Sequence, residues 1–161
     1  MSGDRRGGKY TPAANGGKWL RTNKRLAIYL RDGLSCLYCG SGVEDGVRLQ
    51  VDHYRRVQDG GGNRASNLVT ACARCNNSKN NLTIRQWFAR LREQGIDTKE
   101  VRRRCRKHMA RRLAPYKAQA NSILEARPEP TMKSALAVAL QGAVDEAVDH
   151  FNHDMWLGPE P

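Results

Sequence analysis

Four of the five cysteines fall into two Cys-x-x-Cys pairs, which are the clearest chemical signal in the sequence. Cys36 and Cys39 form the first pair, and Cys72 and Cys75 form the second. Four thiolates at this spacing suit a tetrahedral Zn²⁺ with no open coordination position, so we predict a structural zinc site. The alternatives are disulfides or free thiols. We expect an intracellular, reducing location because the first residues lack the apolar run of a signal peptide, and that location disfavours disulfides.

A second polar cluster begins between the two pairs. Asp52 and His53 end an alternating apolar and polar stretch, and Asn76 comes directly after Cys75. Asp supplies a hard oxygen ligand suited to Mg²⁺, and His is the side chain best able to accept a proton near neutral pH. Adjacent residues on a regular strand point to opposite faces, so both can serve one site only if the strand twists or ends there. An amide oxygen from Asn76 could then join Asp52 in holding one divalent ion.

Short elements around the cysteine pairs are expected to position these side chains. The stretch VRLQVDHY predicts a strand that ends near the Asp-His pair, and LVTAC predicts a second short strand. A helix is predicted to begin near Ala73 and to carry Asn76, Lys79 and Asn80 on one face. Upstream of the first pair, apolar residues at helical spacing predict a helix over about 18–31.

The second half of the chain has a helical pattern. Thr83 with Gln86, and Asp97 with Glu100, resemble capping boxes that open two successive helices. The second of these helices has an apolar residue at every fourth position, including Cys105, which we expect to be a core thiol rather than a ligand. A further helix is predicted after the proline of LAPYK, and a last one from about residue 132 to 153.

The charge distribution favours a polyanionic partner. The net charge is +12, and the basic residues concentrate in the N-terminal part and in the arginine-rich helix, whereas the C-terminal part is acidic. Arginine outnumbers lysine, and a guanidinium matches a phosphate with two hydrogen bonds, so we expect nucleic acid rather than a merely solvated basic surface. No stretch is long and apolar enough to cross a bilayer, so we expect no membrane association.

The order of the motifs resembles the HNH endonuclease family in the version that also carries a four-cysteine zinc site. The resemblance rests on C-x-x-C, then VDH, a Gly-rich loop, and NLV-x-x-C-x-x-CNNSK, and it covers about residues 19–83. It implies an α+β fold, a zinc-braced ββα-metal finger with flanking helices that is mostly helical overall. It also implies a metal-dependent endonuclease that hydrolyses phosphodiester bonds in DNA, nicking it to leave 5′-phosphate and 3′-hydroxyl ends.

The resemblance also implies a role for each matching residue. His53 matches the general base that deprotonates water, and Asp52 matches the acidic ligand of a catalytic Mg²⁺ or Mn²⁺. Asn67 matches the residue that braces the loop and orients the histidine through backbone contacts. Asn76 occupies the third motif position, which is His in many members, so harder ions such as Mg²⁺ are expected. Asn77 is the alternative ligand if the helix begins one residue later.

The resemblance and the charge pattern divide the chain into a disordered basic arm (1–17), the HNH core with its zinc knuckles (18–83), a basic helical DNA-binding extension (84–127) and an acidic C-terminal helix or tail (128–161). We expect the acidic part to pack on the molecule, to form a homodimer, or to bind a phage or defence protein in a bacterial or phage-infected cytoplasm. The residues expected to contact DNA are basic: Arg55, Arg56, Lys79, Arg103, Arg104, Lys107 and Arg111.

Three other functions remain open from the sequence. One is a zinc-stabilised DNA-binding module that keeps the scaffold and cuts nothing. Another, within the nucleases, is a junction-resolving enzyme, which the small size, the basic helices and Asn76 would suit. The third, an adaptor that acts with a larger phage or defence assembly, rests only on the acidic C-terminal part. Clustering of Asp52, His53 and Asn76, and binding of a divalent ion beyond zinc, would argue for cleavage.

Overall fold

A computed structural model describes residues 20–126 and 135–142. The fold is α+β and mostly helical, as expected. Its helices are α1 (Thr22–Arg31), α2 (Ala73–Lys79), α3 (Ile84–Glu93), α4 (Thr98–Met109) and α5 (Ala114–Glu125), followed by a helical segment at 135–142. Its strands are β1 (Leu49–His53) and β2 (Leu68–Cys72).

The two strands and α2 form a ββα unit that holds both polar clusters. The strands β1 and β2 pair antiparallel, with Asp52 opposite Val69 and His53 opposite Leu68. All five residues of β2 are buried, whereas β1 alternates between buried and half-buried positions. The strand β2 therefore lies in the interior, and β1 keeps its polar residues near solvent. The last residue of β1 is His53, so the strand ends at the Asp-His pair, as predicted.

The first hydrophobic core joins the cysteine turns to α3 and α4. The ring of Trp87 lies edge-on to the ring of Tyr38, with 5.5 Å between centroids. Leu91 from α3 and Val101 from α4 are also almost fully buried there, each contributing about 2 kcal/mol through burial. Cys105 is fully buried in the same core, which confirms its prediction as a core thiol.

The second hydrophobic region lies on the opposite side of the sheet and packs α1 against α5. Small side chains let these helices approach closely, and Ala27, Ala120 and Ala135 are all fully buried between them and the segment at 135–142. Thus α1 is held between β2 and the C-terminal helices.

Both predicted helix starts are found, but they differ in detail. Thr83 and Gln86 form a reciprocal capping box at α3. At α4 the carboxylate of Asp97 accepts from the backbone N–H groups of Lys99 and Glu100. The side chain of Glu100 turns outward and pairs with Arg103 at 2.8 Å, so the second box is a single cap.

A buried ion pair that the sequence did not predict ties α1 to β2. Arg31 and Asp32 are both fully buried and pair at 2.7 Å. The guanidinium of Arg31 also donates to the backbone oxygen of Leu68 at 2.6 Å, and Asp32 accepts from the N–H of Thr70 at 2.8 Å. The pair thus gains further protein partners in place of water, which is the condition for such a pair to be tolerated.

Several predictions concern residues outside the described part of the chain. These are the basic arm at 1–17, the segment at 127–134, and the last predicted helix beyond residue 142.

Asn80 lies just outside α2, which ends at Lys79, so the prediction that the helix carries Asn80 was wrong. Among the described helices, none has the length and apolarity needed to cross a membrane.

Candidate functional site

The four paired cysteines come together at one point. Their sulfur atoms all lie within 4.8 Å of one another, as in a zinc site, and none of them forms a disulfide. The sulfurs of Cys39 and Cys72 are 3.8 Å apart. A tetrahedral ion with bonds of about 2.3 Å requires roughly this separation between its ligands. The cluster can therefore hold a metal ion with little rearrangement.

Local backbone structure prepares the cysteine cluster. Cys72 is the N-cap of α2, and its sulfur accepts from the backbone N–H of Cys75 at 3.4 Å. A hydrogen bond from Cys75 lowers the pKa of Cys36 to about 5. The same hydrogen bond raises the pKa of Cys75, because the Cys75 thiol is the donor and must keep its proton, and burial of Cys75 raises the pKa further. One thiolate is thus already favoured among the four sulfurs, as metal binding requires.

The carboxylate of Asp52 lies beside the cysteine turns, on the face of β1 that α2 covers. It accepts from the Tyr38 hydroxyl at 2.7 Å and pairs with the Lys79 ammonium at 2.9 Å. Burial, with the charge of Asp52 adding to it, raises the pKa of Tyr38 well above its usual range, so the phenol stays protonated and donates. Asp52 is thereby held in one orientation with a positive charge directly against it.

Lys79 takes part in this arrangement from an interior position. Its side chain is only 2% exposed, and its ammonium also donates to the backbone oxygen of His53 at 2.7 Å. A buried lysine needs such partners, since an unpaired ammonium is costly to remove from water. The ammonium thus joins the end of β1 to the last turn of α2.

Asn76 lies one turn before Lys79 and faces the same side of β1. Its amide nitrogen donates to the side-chain oxygen of Gln50 at 2.6 Å. Gln50 and Asp52 are two residues apart on β1, so they share a face of the strand. Since the nitrogen of the Asn76 amide donates to Gln50, the amide oxygen is its candidate ligand atom. Asn77, by contrast, is exposed.

His53 ends β1 on the other side of the strand. Its Nε2 is 2.8 Å from the side-chain oxygen of Asn63, in the Gly-rich loop. The Lys24 ammonium from α1 donates to the backbone oxygen of the same Asn63 at 2.7 Å. Since Asn63 offers an acceptor oxygen, it favours the tautomer in which Nε2 carries the proton and Nδ1 is the basic nitrogen.

Asn67 braces the loop that follows His53. Its amide nitrogen donates to the backbone oxygens of Arg55 and Gly62, both at 3.0 Å, and its amide oxygen accepts from the N–H of Arg55 at 2.8 Å. Its backbone oxygen accepts from the N–H of Tyr54. Gly61 permits this closure, because a Cβ there would lie 1.9 Å from the backbone oxygen of Arg55.

The basic residues proposed from sequence occupy different environments. Arg55 and Lys107 are exposed. Arg56 pairs with Asp59 and donates to the backbone oxygen of Asn81. Three more are engaged within the protein: Arg103 pairs with Glu100, Arg104 donates to the backbone oxygens of Leu37 and Tyr38, and Arg111 donates to the backbone oxygen of Arg31.

Sequence reasoning missed three side chains that position the polar cluster. These are Tyr38, Gln50 and Asn63, each of which forms a hydrogen bond of 2.8 Å or less to a residue singled out from the sequence. Gln50 could have been found from its period-two spacing with Asp52. Tyr38 and Asn63 could not, because their partners are defined only once the zinc turn and the loop have folded.

Comparison with known proteins assigns the segment that contains these clusters. Residues 36–82 match the family model described as HNH endonuclease. This segment is an HNH domain. A Cas9 CRISPR-associated endonuclease from Actinomyces naeslundii is 36% identical over 78 residues, which is 48% of this chain and 7% of that protein. The corresponding protein of Corynebacterium diphtheriae is 35% identical over 77 residues, 47% of this chain and 7% of that protein.

A Bacillus subtilis protein from the SPbeta prophage, named as a candidate HNH endonuclease, is 37% identical over 60 residues, 33% of this chain. The chain spans 26% of that protein, and only a small part of each of the two Cas9 proteins. No solved structure matches the chain significantly. The similarity to these three proteins therefore extends over less than half of this chain.

The family match begins at Cys36, the first residue of the four-cysteine cluster, and ends three residues after the last residue of α2. It includes both cysteine pairs, both strands and the whole of α2. The recognition of this family from the sequence is confirmed. The helices α3 to α5 lie beyond the matched segment.

Proposed function

We propose that the chain is a metal-dependent DNA endonuclease whose active site lies at the end of β1. The observation that carries this proposal is that Asn76 of α2 is hydrogen-bonded to Gln50, which shares a face of β1 with Asp52, while His53 terminates the same strand. The HNH family match over residues 36–82 supports it. Cleavage of a phosphodiester bond needs a group to take a proton from water and a positive charge near the phosphate.

Asp52 and Asn76 would hold the catalytic ion. One carboxylate and one amide oxygen form a hard donor set that suits Mg²⁺ or Mn²⁺ rather than a softer ion. The Asp52 carboxylate already attracts a cation, since the Lys79 ammonium lies 2.9 Å from it. Asp52 and Asn76 would hold a divalent ion there, and its positive charge would stabilise the negative charge that develops on the phosphate and on the departing 3′ oxygen.

His53 acts as the general base in this proposal. In the tautomer that Asn63 favours, Nε2 carries the proton, and Nδ1 would accept a proton from the attacking water and later pass it to solvent. Asn67 keeps the loop that carries Asn63 closed against the end of β1. In-line attack on the phosphorus would break its bond to the 3′ oxygen, which takes a proton from solvent, and would leave a 5′-phosphate and a 3′-hydroxyl. One site of this kind cuts one strand, so the expected product is a nick.

The cysteine cluster has a structural role in the proposal. Zn²⁺ bound by four thiolates has no position for substrate or water. The bound Zn²⁺ would hold the turn that carries Tyr38, which donates to Asp52, and the start of α2, which carries Asn76. The positions of Asp52 and Asn76 would thereby be fixed. We propose Zn²⁺ for this site because the sulfur spacing fits its tetrahedral radius and because soft thiolates select it.

Nicking of supercoiled plasmid tests the proposal. Wild-type protein is expected to convert supercoiled plasmid to open circles with added Mg²⁺ or Mn²⁺. The His53→Ala variant should lose at least about 100-fold in rate, the range that general-base catalysis contributes. Zinc content and circular dichroism of the variant should equal those of the wild type, so that the loss is chemical rather than structural.

A matched pair of variants tests the ion ligand. Asn76→Ala should abolish or strongly reduce nicking, whereas Asn77→Ala, one position along the same helix and exposed, should nick like the wild type. Equal loss in both, or nicking that survives His53→Ala, would count against this site. Tight DNA binding without any cleavage by the wild type would instead identify a non-catalytic binding module.

A further inference from the structure

Two adjoining cavities open along α3 and α4, the two helices that follow the matched HNH segment. One has a volume of about 650 Å³ and begins at Tyr54. The other, of about 640 Å³, continues along α4 to Arg106. Both are lined by Arg92 and Arg102, so they form one continuous depression, which we call the basic groove. Its basic side chains are Arg85, Arg92, Lys99, Arg102, Arg103 and Arg106.

The cations of the basic groove are arranged in two rows. Arg85 and Arg92 are seven residues apart on α3 and therefore share one face of that helix. Lys99, Arg102 and Arg106 are spaced by three and four residues along α4 and share a face in the same way. The groove thus has positive charge on both of its walls.

Most of this charge is uncompensated. Within residues 20–126 and 135–142, only Arg103 among the six is paired with a carboxylate, that of Glu100. Arg102 lies over the ring of Phe88, 4.9 Å from its centroid, which holds the guanidinium against an apolar floor. Exposed like charges that line one groove repel one another, so an arrangement of this kind favours a polyanion that brings them negative partners.

The basic groove differs in this respect from the other arginines of α4 and the turn after it. Arg104 holds the turn at Leu37 and Tyr38, and its two donating nitrogens are engaged there. Arg111 caps the C-terminal end of α1 through the backbone oxygen of Arg31. These side chains serve the fold, whereas the groove residues exposed and open to a ligand are Arg85, Arg92, Lys99 and Arg106.

The groove also begins next to the proposed active site. Tyr54 lines its first cavity and directly follows His53, and its ring packs edge-on against Phe88 at 6.1 Å. A strand whose phosphate lies at His53 could therefore run past Tyr54 and between the two rows of cations. We propose that the basic groove binds the phosphodiester backbone of the DNA strand adjoining the cleaved phosphate, an inference that rests on the proposed function.

Paired charge-neutralising variants test this assignment. The groove variant is Arg85→Gln with Arg92→Gln, and the control is Arg48→Gln with Arg74→Gln, two exposed arginines that line a separate cavity beside the cysteine turns. Both variants lower the net charge by two, so any effect of overall charge is shared. Gln favours helix nearly as well as Arg, so α3 should persist in the groove variant.

The measurement is the affinity of the zinc-loaded full chain for a fluorescent DNA duplex, by anisotropy, over a range of salt concentrations and without added Mg²⁺. The groove variant should bind at least about tenfold more weakly at about 0.15 M salt. Its salt slope should fall by about two, since each phosphate that the protein neutralises adds about 0.9 to the slope. The control should keep the wild-type slope. Equal weakening in both variants, or none in the groove variant, would overturn the assignment.

Plasmid nicking by the same proteins separates this inference from the proposed function. If the wild type nicks and the groove variant both binds and nicks at wild-type levels, the groove assignment fails and the endonuclease proposal stands. If the wild type binds DNA through the groove but never nicks, the endonuclease proposal fails and the groove remains a DNA-binding surface. If binding and nicking are both lost in the groove variant while the control keeps them, both proposals hold.

Discussion

The ammonium of Lys79 lies 2.9 Å from the carboxylate of Asp52, and both side chains are largely buried. The lysine also holds the backbone oxygen of His53 at 2.7 Å. A fixed positive charge thus occupies the place where we propose that an ion is attracted. Binding of that ion at Asp52 must then compete with, or displace, the ammonium.

The Lys79→Met variant tests this relationship. It keeps most of the length of the side chain but leaves Asp52 without its cation, which should destabilise the fold by about 3 kcal/mol. Added Mn²⁺ should raise the unfolding midpoint of the variant more than that of the wild type, because the ion now meets a carboxylate with no competitor. Urea unfolding with and without Mn²⁺ measures both effects. Equal shifts in the two proteins would show that Mn²⁺ does not bind at Asp52.

Gln50 is predicted to position Asn76 rather than to act in the reaction. The Gln50→Leu variant loses the 2.6 Å hydrogen bond that orients the side-chain amide of Asn76. Supporting interactions of this kind typically contribute about 10- to 100-fold in metal affinity. We therefore expect the Mg²⁺ concentration for half-maximal nicking to rise by about tenfold, with the rate at saturating Mg²⁺ nearly unchanged. A lowered saturating rate at an unchanged half-maximal concentration would contradict this role.

Asn63 is predicted to affect the nicking rate at saturating Mg²⁺ rather than the Mg²⁺ concentration for half-maximal nicking. The Asn63→Ala variant removes the side-chain partner of His53 Nε2, so the ring can adopt tautomers and orientations that do not present Nδ1 to water. We expect the nicking rate at saturating Mg²⁺ to fall by about tenfold or more while the half-maximal Mg²⁺ concentration stays the same. The Gln50 and Asn63 variants thus serve as controls for each other, since each should change the parameter that the other leaves alone.

The parts of the site that the sequence predicted are those set by local spacing. Two Cys-x-x-Cys turns can bind one ion if the chain between them folds back and brings the second turn next to the first. The antiparallel pairing of β1 with β2 folds the chain back in this way. The start of α2 at Ala73 follows from the N-cap at Cys72, which places Asn76 in the first turn. The helix start is local, and the convergence of the cysteines needs only the strand pairing within the same short segment, so the pattern was enough.

The parts that the sequence did not predict depend on packing between elements distant in the chain. A lysine at the end of a polar helix is usually exposed, and Lys79 is buried only because β1 ends beside it with a carboxylate and a backbone oxygen that both accept from it. The arginines of α4 form one basic pattern in the sequence, but docking of α4 on the cysteine turn divides them into those that hold the fold and those that line the basic groove. Such divisions require the tertiary structure.

Removal of the metal should unfold the domain around the cysteine turns. The four sulfurs converge within 4.8 Å, and without an ion at least one thiolate remains among buried groups. We expect a chelator at neutral pH to release one zinc per chain and to lower the thermal midpoint by well over about 10 °C, since structural zinc contributes folding free energy directly. Added Zn²⁺ should restore the midpoint, whereas added Mg²⁺ should not. Unchanged stability after complete zinc loss would contradict a structural role.

Cys105 gives the core a dependence on alkaline pH. The thiol is fully buried, and burial raises its pKa to about 12, whereas a thiol in the unfolded chain titrates near about 8.5. The folded state therefore keeps the proton when the unfolded state has lost it. The protonated Cys105 thiol therefore contributes its full share to the free energy of unfolding below about pH 8.5. That contribution is lost as the pH rises toward 12.

The Cys105→Ala variant isolates this contribution, because it removes the thiol and leaves the other titrating groups in place. Between about pH 8 and about pH 10.5 the free energy of unfolding of the wild type should fall by about 2 kcal/mol more than that of the variant. Urea unfolding of both zinc-loaded proteins at the two pH values measures the difference. If the two proteins lose stability in parallel, the Cys105 thiol loses its proton as readily in the folded protein as in the unfolded chain, and burial in the core does not protect it.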